Sequence, residues 1–263
     1  MKIIINADDF GMSRVVNEAI IKAIEHKHVT SATILANGPK FNDVIKMFKE
    51  SPELLSQTRL SFGAHLDAFE FRPLTTNTDI EPLLETNGNF NGNVLRRINL
   101  TSAMRKALLQ EWQEQIQLLF SNGIPVSHID SHSHTHTIPS VFLILKELQR
   151  YHGIRTVRIT HNFYSKPPSK SLLFKKAIFN FALRNIFRTR TTDFFTGFED
   201  FFTSSNCMTK LPKVFQKRNT TCELMIHPGN PCPLFTNENI FFQSEWLSNL
   251  TKDIELISYK ELI

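Results

Sequence analysis

Residues able to do chemistry concentrate in one run, His128-Ile129-Asp130-Ser131-His132-Ser133-His134-Thr135-His136, where four histidines and one aspartate fall on alternate positions. The preceding Ile124-Pro125-Val126-Ser127 contains turn and β-forming residues. Side chains two apart share a face of a strand. A strand continued through the run therefore points His128, Asp130, His132 and His134 the same way. Imidazoles and a carboxylate converging on one spot hold a divalent metal. The competing reading is a surface histidine tract, against which Asp130 and the alternation both count.

Other groups have chemical potential only in company. Asn6-Ala7-Asp8-Asp9-Phe10-Gly11 sets two carboxylates side by side. Along a regular strand they face opposite sides. A bend at a strand end lets one ligate a metal while the other acts as base or steadies a ligand. The bland alternative is a cap on the helix that follows. His65, in Phe62-Gly63-Ala64-His65-Leu66, reads alone as a half-buried, hydrogen-bonded histidine, and so does His227. Pro228-Gly229 forces a turn directly after His227 and leaves its imidazole at a rim.

The elements that must position these groups alternate along the chain. Strands are expected at residues 2–6, 30–35, 60–66, 126–131, 156–159, 193–198 and 221–226, with a β-like tail at 256–259. Helical periodicity marks 13–26, 41–49, 101–121, 140–151, 171–188, 208–216 and 242–250, and 67–99 reads as a long polar loop. Such repeated βα units mean a parallel sheet, closed as a barrel or open and doubly wound. Neither GxGxxG nor GxxxxGK(S/T) occurs, so an open nucleotide-binding sheet lacks its phosphate loop. The polar groups fall at C-terminal strand ends: Asp8 and Asp9, then His65 and Asp67, then Asp130, His132 and His134, then His227, with Arg158 in the fifth strand. In a βα barrel these ends form one face, where active sites are built.

The 263 residues suit one domain, 1–263, and 41% apolar with 21% charged content is ordinary for a soluble enzyme. The net charge of +5 traces largely to residues 166–190, which hold seven Lys and Arg and no acid. No stacking motif accompanies them, so they read as the solvated face of a helix, with neither nucleic acid nor membrane as a partner. Three cysteines without a CxxC form no disulfide framework and point to a reducing compartment. Asp8 and Asp9 interrupt any signal-peptide core, and no apolar run approaches a membrane span. A cytoplasmic protein is expected.

Asn6-Ala7-Asp8-Asp9-Phe10-Gly11, Gly63-Ala64-His65-Leu66, His128-Ile129-Asp130-Ser131-His132 and His227-Pro228-Gly229 together, in this order, resemble the YdjC-like (ChbG) carbohydrate deacetylases. Asp193-Phe194-Phe195-Thr196-Gly197-Phe198 is similar to a family segment as well. The resemblance implies an α/β fold, a single-domain (β/α) barrel, distorted and TIM-like, of the glycoside hydrolase/deacetylase type. It implies removal of acetyl groups from N-acetylated amino sugars or chitooligosaccharides, a small-molecule or oligosaccharide substrate. It also implies Asp9, His65 and His132 as metal ligands, Asp8 as general base, His227 as general acid, magnesium as the ion, and a homodimer.

The residues suit that chemistry on their own terms. Two histidines and one aspartate leave metal positions open for water and an acetyl oxygen. The same set suits zinc or another transition metal better than magnesium, which prefers oxygen. Arg158 is expected to orient the base or bind sugar, Phe195 and Phe198 to offer stacking faces, and Asp67 and His134 to border the substrate. His128 and Asp130 are expected to support from deeper in the strand, with His134 and His136 beside the pocket. Asp67-Ala68-Phe69 stands where the family commonly has Asn and Thr, and Asn230-Pro231-Cys232-Pro233 where an acid is more usual. Both departures bear on the sugar more than on the metal. Two other classes compete: a two-metal phosphoesterase, and a non-catalytic sugar-binding homologue that would need neither Asp8 nor His227.

Overall fold

The computed structural model describes residues 1–205, 219–241 and 254–262. Strand β1 (Lys2–Phe10) is followed by α1 (Arg14–Glu25), β2 (Ser31–Ile34), α2 (Phe41–Glu50), α3 (Glu53–Ser56) and β3 (Ser61–Leu66). A long excursion carries α4 (Gly92–Leu95) and leads to α5 (Ser102–Ser121), β4 (Val126–Ser131), α6 (Phe142–His152) and β5 (Thr156–Val157). Then come α7 (Lys170–Asn185), β6 (Phe194–Gly197), α8 (Phe198–Ser205), β7 (Thr221–Ile226), α9 (Thr236–Phe241) and β8 (Glu255–Leu256).

The pairings among the described strands β1–β8 are all parallel, in the order β5-β4-β3-β2-β1-β7-β6, and β8 adds to the start of β1. The sheet curls into a half-barrel with helices around it, the distorted α/β barrel expected. Backbone bonds cross between its edges: Val157 N donates to Arg190 O (3.1 Å) and Asn162 N to Phe195 O (3.2 Å).

The two-residue period of the strands separates an apolar outside from a polar inside. Ile3, Ile5 and Ala7, Phe62, Ala64 and Leu66, and Cys222, Leu224 and Ile226 join the main apolar core. The alternate positions bring Asn6 and Asp8, His65, His128 and Asp130, and Glu223 into contact with one another's partners inside the barrel. Ile4, Ile257, Tyr259 and Leu262 form a separate buried cluster, so the tail after β8 packs against the inner face of β1. Tyr259 stacks on His128 with ring centroids 3.6 Å apart. A Cβ at Gly63 would lie 2.5 Å from that imidazole, so only glycine leaves room for it.

Three local outcomes differ from the sequence expectation. β1 continues through Asp8 and Asp9, its register with β2 shifts between Ala7 and Phe10, and Asp9 takes φ 69°. This is a bulge with a left-handed residue in it. The helix cap is Ser13, which accepts from Val16 N, and not either aspartate. The histidine run leaves the strand at Ser131: residues His132–Thr137 form 3₁₀ turns, with Ser133 and His134 at φ 52° and 57°. The expected loop at 67–99 contains α4 and a 3₁₀ turn, Thr78–Leu83. The expected helices at 208–216 and 242–250 lie outside the described residues.

Helix α5 fixes the first part of that loop. Thr101 caps it, and Leu108, Trp112, Ile116 and Leu119 make its apolar stripe. Two polar residues, Glu111 and Gln115, are buried beside the stripe. Gln115 accepts from Asp67 N (2.9 Å) and donates to Asp67 O (2.9 Å), and Trp112 Nε1 donates to the same oxygen. Glu111 accepts from Leu74 N and Thr75 N.

Candidate metal and substrate site

The bulge at Asp9 turns both neighbouring carboxylates toward the mouth of the barrel. Asp9 Oδ1 lies 2.9 Å from His132 Nδ1 and 3.4 Å from His65 Nε2. Asn230 Nδ2 donates to Asp9 Oδ2 at 3.1 Å. His65 Nδ1 is 2.7 Å from Asp130 Oδ1. Ionised Asp130 only accepts, so Nδ1 is the donor, and Nε2 is the ring atom that faces Asp9. Donor atoms of Asp9, His65 and His132 all lie within 4.8 Å of one another. One buried carboxylate and two imidazoles, one pinned from behind by a second carboxylate, fit a divalent ion.

Asp8, His65 and Asp130 approach one another as closely. Arg158 already supplies the positive charge there. Its Nη1 and Nη2 each donate to Asp8 at 2.7 Å, Nη2 lies 2.8 Å from Asp130 Oδ2, and Nε donates to Glu223 at 2.8 Å. The guanidinium lies 4.9 Å from the Phe195 ring centroid. Tyr259 OH donates to Glu223 from the far side. A second ion, as a two-metal phosphoesterase needs, would have to displace this cation.

Burial and charge pull against each other in this network. Burial pushes the Glu223 carboxyl up, and it settles at about 7 despite Arg158. Burial would lower His65, but Asp130, Asp8 and Asp9 raise it to about 9. His132 is likewise held well above the ordinary imidazole range, because Asp9 and Glu70 outweigh its burial. Asp9 is held low by those two histidines although burial opposes it. His227 is raised, with Glu238, Asp9 and Asp8 overcoming its desolvation. Its backbone N donates to Glu238, and its ring stacks on Phe235 at 3.9 Å.

A pocket of about 670 Å³ opens over these groups. Asp8, Asp9, His65, His132, His134 and His227 all line it. Asp67, Arg158, Phe195 and Phe198, expected to orient the base or meet the substrate, do not. Asp67 is buried, and its carboxylate accepts from the backbone N of Phe69, Glu70 and Phe71, shaping the loop. Arg158 is 0% exposed and grips Asp8. Phe195 is buried under Arg158 and His134, and Phe198 packs on Phe202, so neither presents a face for sugar stacking. His136 is also withdrawn, bonded to Ser131 Oγ and Arg158 O. The aromatic walls are Phe69 and Phe235 instead, joined by Met12, Arg96 and Asn230. Glu70, 3.0 Å from His132 Nε2, was not legible in the sequence. Its one signal is an acid on the loop directly after the His65 strand.

The family model for YdjC-like protein matches residues 2–254. The chain belongs to the YdjC-like family. A carbohydrate deacetylase of Clostridium beijerinckii is 29% identical over 264 residues, covering 100% of this YdjC-like chain and 94% of that protein. One from Halalkalibacterium halodurans is 28% identical over 98% of this chain and 95% of its own length. A third, from Geobacillus stearothermophilus, reaches 38% identity over 59% of each. A crystal structure from Enterococcus faecalis, of a protein named for cellobiose-phosphate cleavage, superposes with a TM-score of 0.74 at 22% identity. It covers 99% of this chain and 98% of that one, and speaks to the fold alone.

Proposed function

We propose that this chain is a metal-dependent hydrolase that removes acetyl groups from N-acetylated amino sugars or their oligosaccharides, of chitin type. The coarser part, carbohydrate deacetylation, is supported by the full-length relatives. The observation that carries the finer part is the convergence of Asp9, His65 and His132 in a pocket that Asp8 and His227 also line.

A divalent ion held by Asp9, His65 and His132 would supply Lewis acidity toward the acetyl oxygen and acidify the attacking water. The two imidazoles favour zinc or another transition ion over magnesium. Asp8 is the base. Arg158 and Asn6 fix its orientation, and among the described residues Oδ2 accepts only the bond from Arg158, leaving a lone pair for the water's proton. His227 is the acid. The surrounding carboxylates favour its cationic form, and it delivers a proton to the departing amine nitrogen as the amide C–N bond breaks. Phe69 and Phe235 border the sugar with apolar faces.

The test is acetate release from a panel of N-acetylated amino sugars and oligosaccharides, with magnesium, zinc, cobalt and manganese each added to metal-stripped protein. Release from at least one pair is expected, and its loss in Asp8→Asn with the metal still bound. No release from any pair overturns the reading.

A further inference from the structure

Helix α7 packs Phe179 and Leu183 against the core and turns a second apolar stripe to solvent. Its buried positions are Asn180 and Leu183, and Asn180 Oδ1 accepts from Thr160 N and Thr160 Oγ1, both at 2.9 Å. Phe174, Ile178 and Phe181, spaced to share one face, are 68%, 53% and 68% exposed. Ile186 and Phe187 continue the exposed apolar surface beyond the helix. Phe187 and Arg188 both take left-handed backbone, φ 61° and 48°, an uncommon state for two such side chains.

Along its own segment the stripe is accompanied by cations and by no acid. Residues 166–190 carry no Asp or Glu, and Lys170, Lys175, Arg188 and Arg190 are exposed. Beside Phe187 a cleft of about 450 Å³ is lined by Arg150, Arg155 and Arg188. Arg150 lies over the Phe187 ring at 4.4 Å. None of the three arginines is in an ion pair with a carboxylate among the described residues.

We propose that α7 and the three-arginine cleft dock on an anionic phospholipid surface. Phe174, Ile178 and Phe181 enter the boundary of the acyl chains, and the arginines take headgroup phosphates. Charge complementarity selects this occupant. An apolar stripe whose segment carries cations and no acid matches a negatively charged interface, whereas a two-fold contact with a second copy would set the same cations against each other. Nucleic acid would account for the arginines but not for three large apolar side chains at the centre of the face. This departs from the sequence reading of residues 166–190 as a merely solvated face. None of these residues lines the pocket over Asp9, so docking and the proposed chemistry are separable.

The test is co-sedimentation of the full chain with phosphatidylglycerol/phosphatidylcholine vesicles and with pure phosphatidylcholine vesicles. Binding to the anionic vesicles alone is expected, weakening with added salt. A Phe174→Ser/Phe181→Ser variant should bind about tenfold or more weakly, and Arg150→Gln/Arg188→Gln roughly thirtyfold more weakly, both with unchanged circular dichroism. No binding to anionic vesicles, equal binding to neutral ones, or variants that bind like the parent would overturn the proposal. So would a dimer seen by sedimentation velocity that Phe174→Ser/Phe181→Ser dissolves, because the stripe would then belong to a second copy.

Discussion

Arg158 organises the polar interior: one guanidinium faces Asp8, Asp130 and Glu223 with no exposure to solvent. Removing one member of a buried ionic cluster strands the others. Arg158→Met should cost about 3–5 kcal/mol in urea denaturation, and a loss under 1 kcal/mol would mean that water reaches the three carboxylates. Burial, which Arg158 only partly offsets, makes Glu223 titrate at about 7 when folded against an ordinary 4.5. Between those values the folded chain holds a proton that the unfolded chain has released. The stabilisation is therefore full below pH 4.5 and lost as pH rises through 7. Glu223→Gln keeps a polar partner for Arg158 without the charge. Its stability should fall less than the parent's between about pH 5 and about pH 8, and an equal fall would place the titration elsewhere. At the candidate metal, Asp130→Asn should weaken zinc binding about 10- to 100-fold in calorimetry by loosening His65. Unchanged affinity would show that His65 needs no such support.

At the scale of elements, two devices place the site. The first is the bulge in β1, which gives adjacent carboxylates different duties: Asp8 stays with Arg158 and Asp9 meets the histidines. The second is the grip of α5 on the loop after β3, which holds Phe69 and Glu70 over His132. Helix α4 closes against that loop at a glycine. A Cβ at Gly92 would lie 1.8 Å from the Phe69 ring, so Gly92→Ala forces the ring to move. Phe69 walls the pocket, and the expected result is a KM raised about tenfold with a smaller change in kcat. A KM at the parental value would remove Phe69 from the substrate wall.

For the whole molecule, a metal that binds only the folded chain stabilises it by mass action. Zinc at 100 times its Kd should add about 2.7 kcal/mol, roughly 5–10 °C in Tm for a chain of this size. A chelator should reverse the shift, and His132→Ala should abolish it. An undiminished shift in that variant would place the ion away from Asp9 and His65. No helix among the described residues is long and apolar enough to cross a membrane.

How much of this was legible depends on the range of the interaction involved. The strands at 126–131 and 221–226 have the bounds that their β-forming runs and flanking turns indicate, because those signals are local. The placement of Asp9, His65, His132 and His227 at C-terminal strand ends follows from the same local periodicity, and a parallel sheet then gathers them on one face. The alternation of the histidine run misled beyond Ser131, since left-handed Ser133 and His134 break the two-residue period there. Phe195 and Phe198 looked like sugar platforms because exposure is not written in residue type. Periodicity gave no sign of the partners that meet across long separations, such as His132 with Asp9, 123 residues away, and Arg158 with Asp8, 150 away; only the family resemblance implied them, and the tertiary structure decided their geometry. The physical reason is that a strand's own sequence sets which side chains share a face. Which carboxylate receives the buried cation and which faces the histidines depends on a sheet order and a backbone bulge that exist only once the chain has closed on itself.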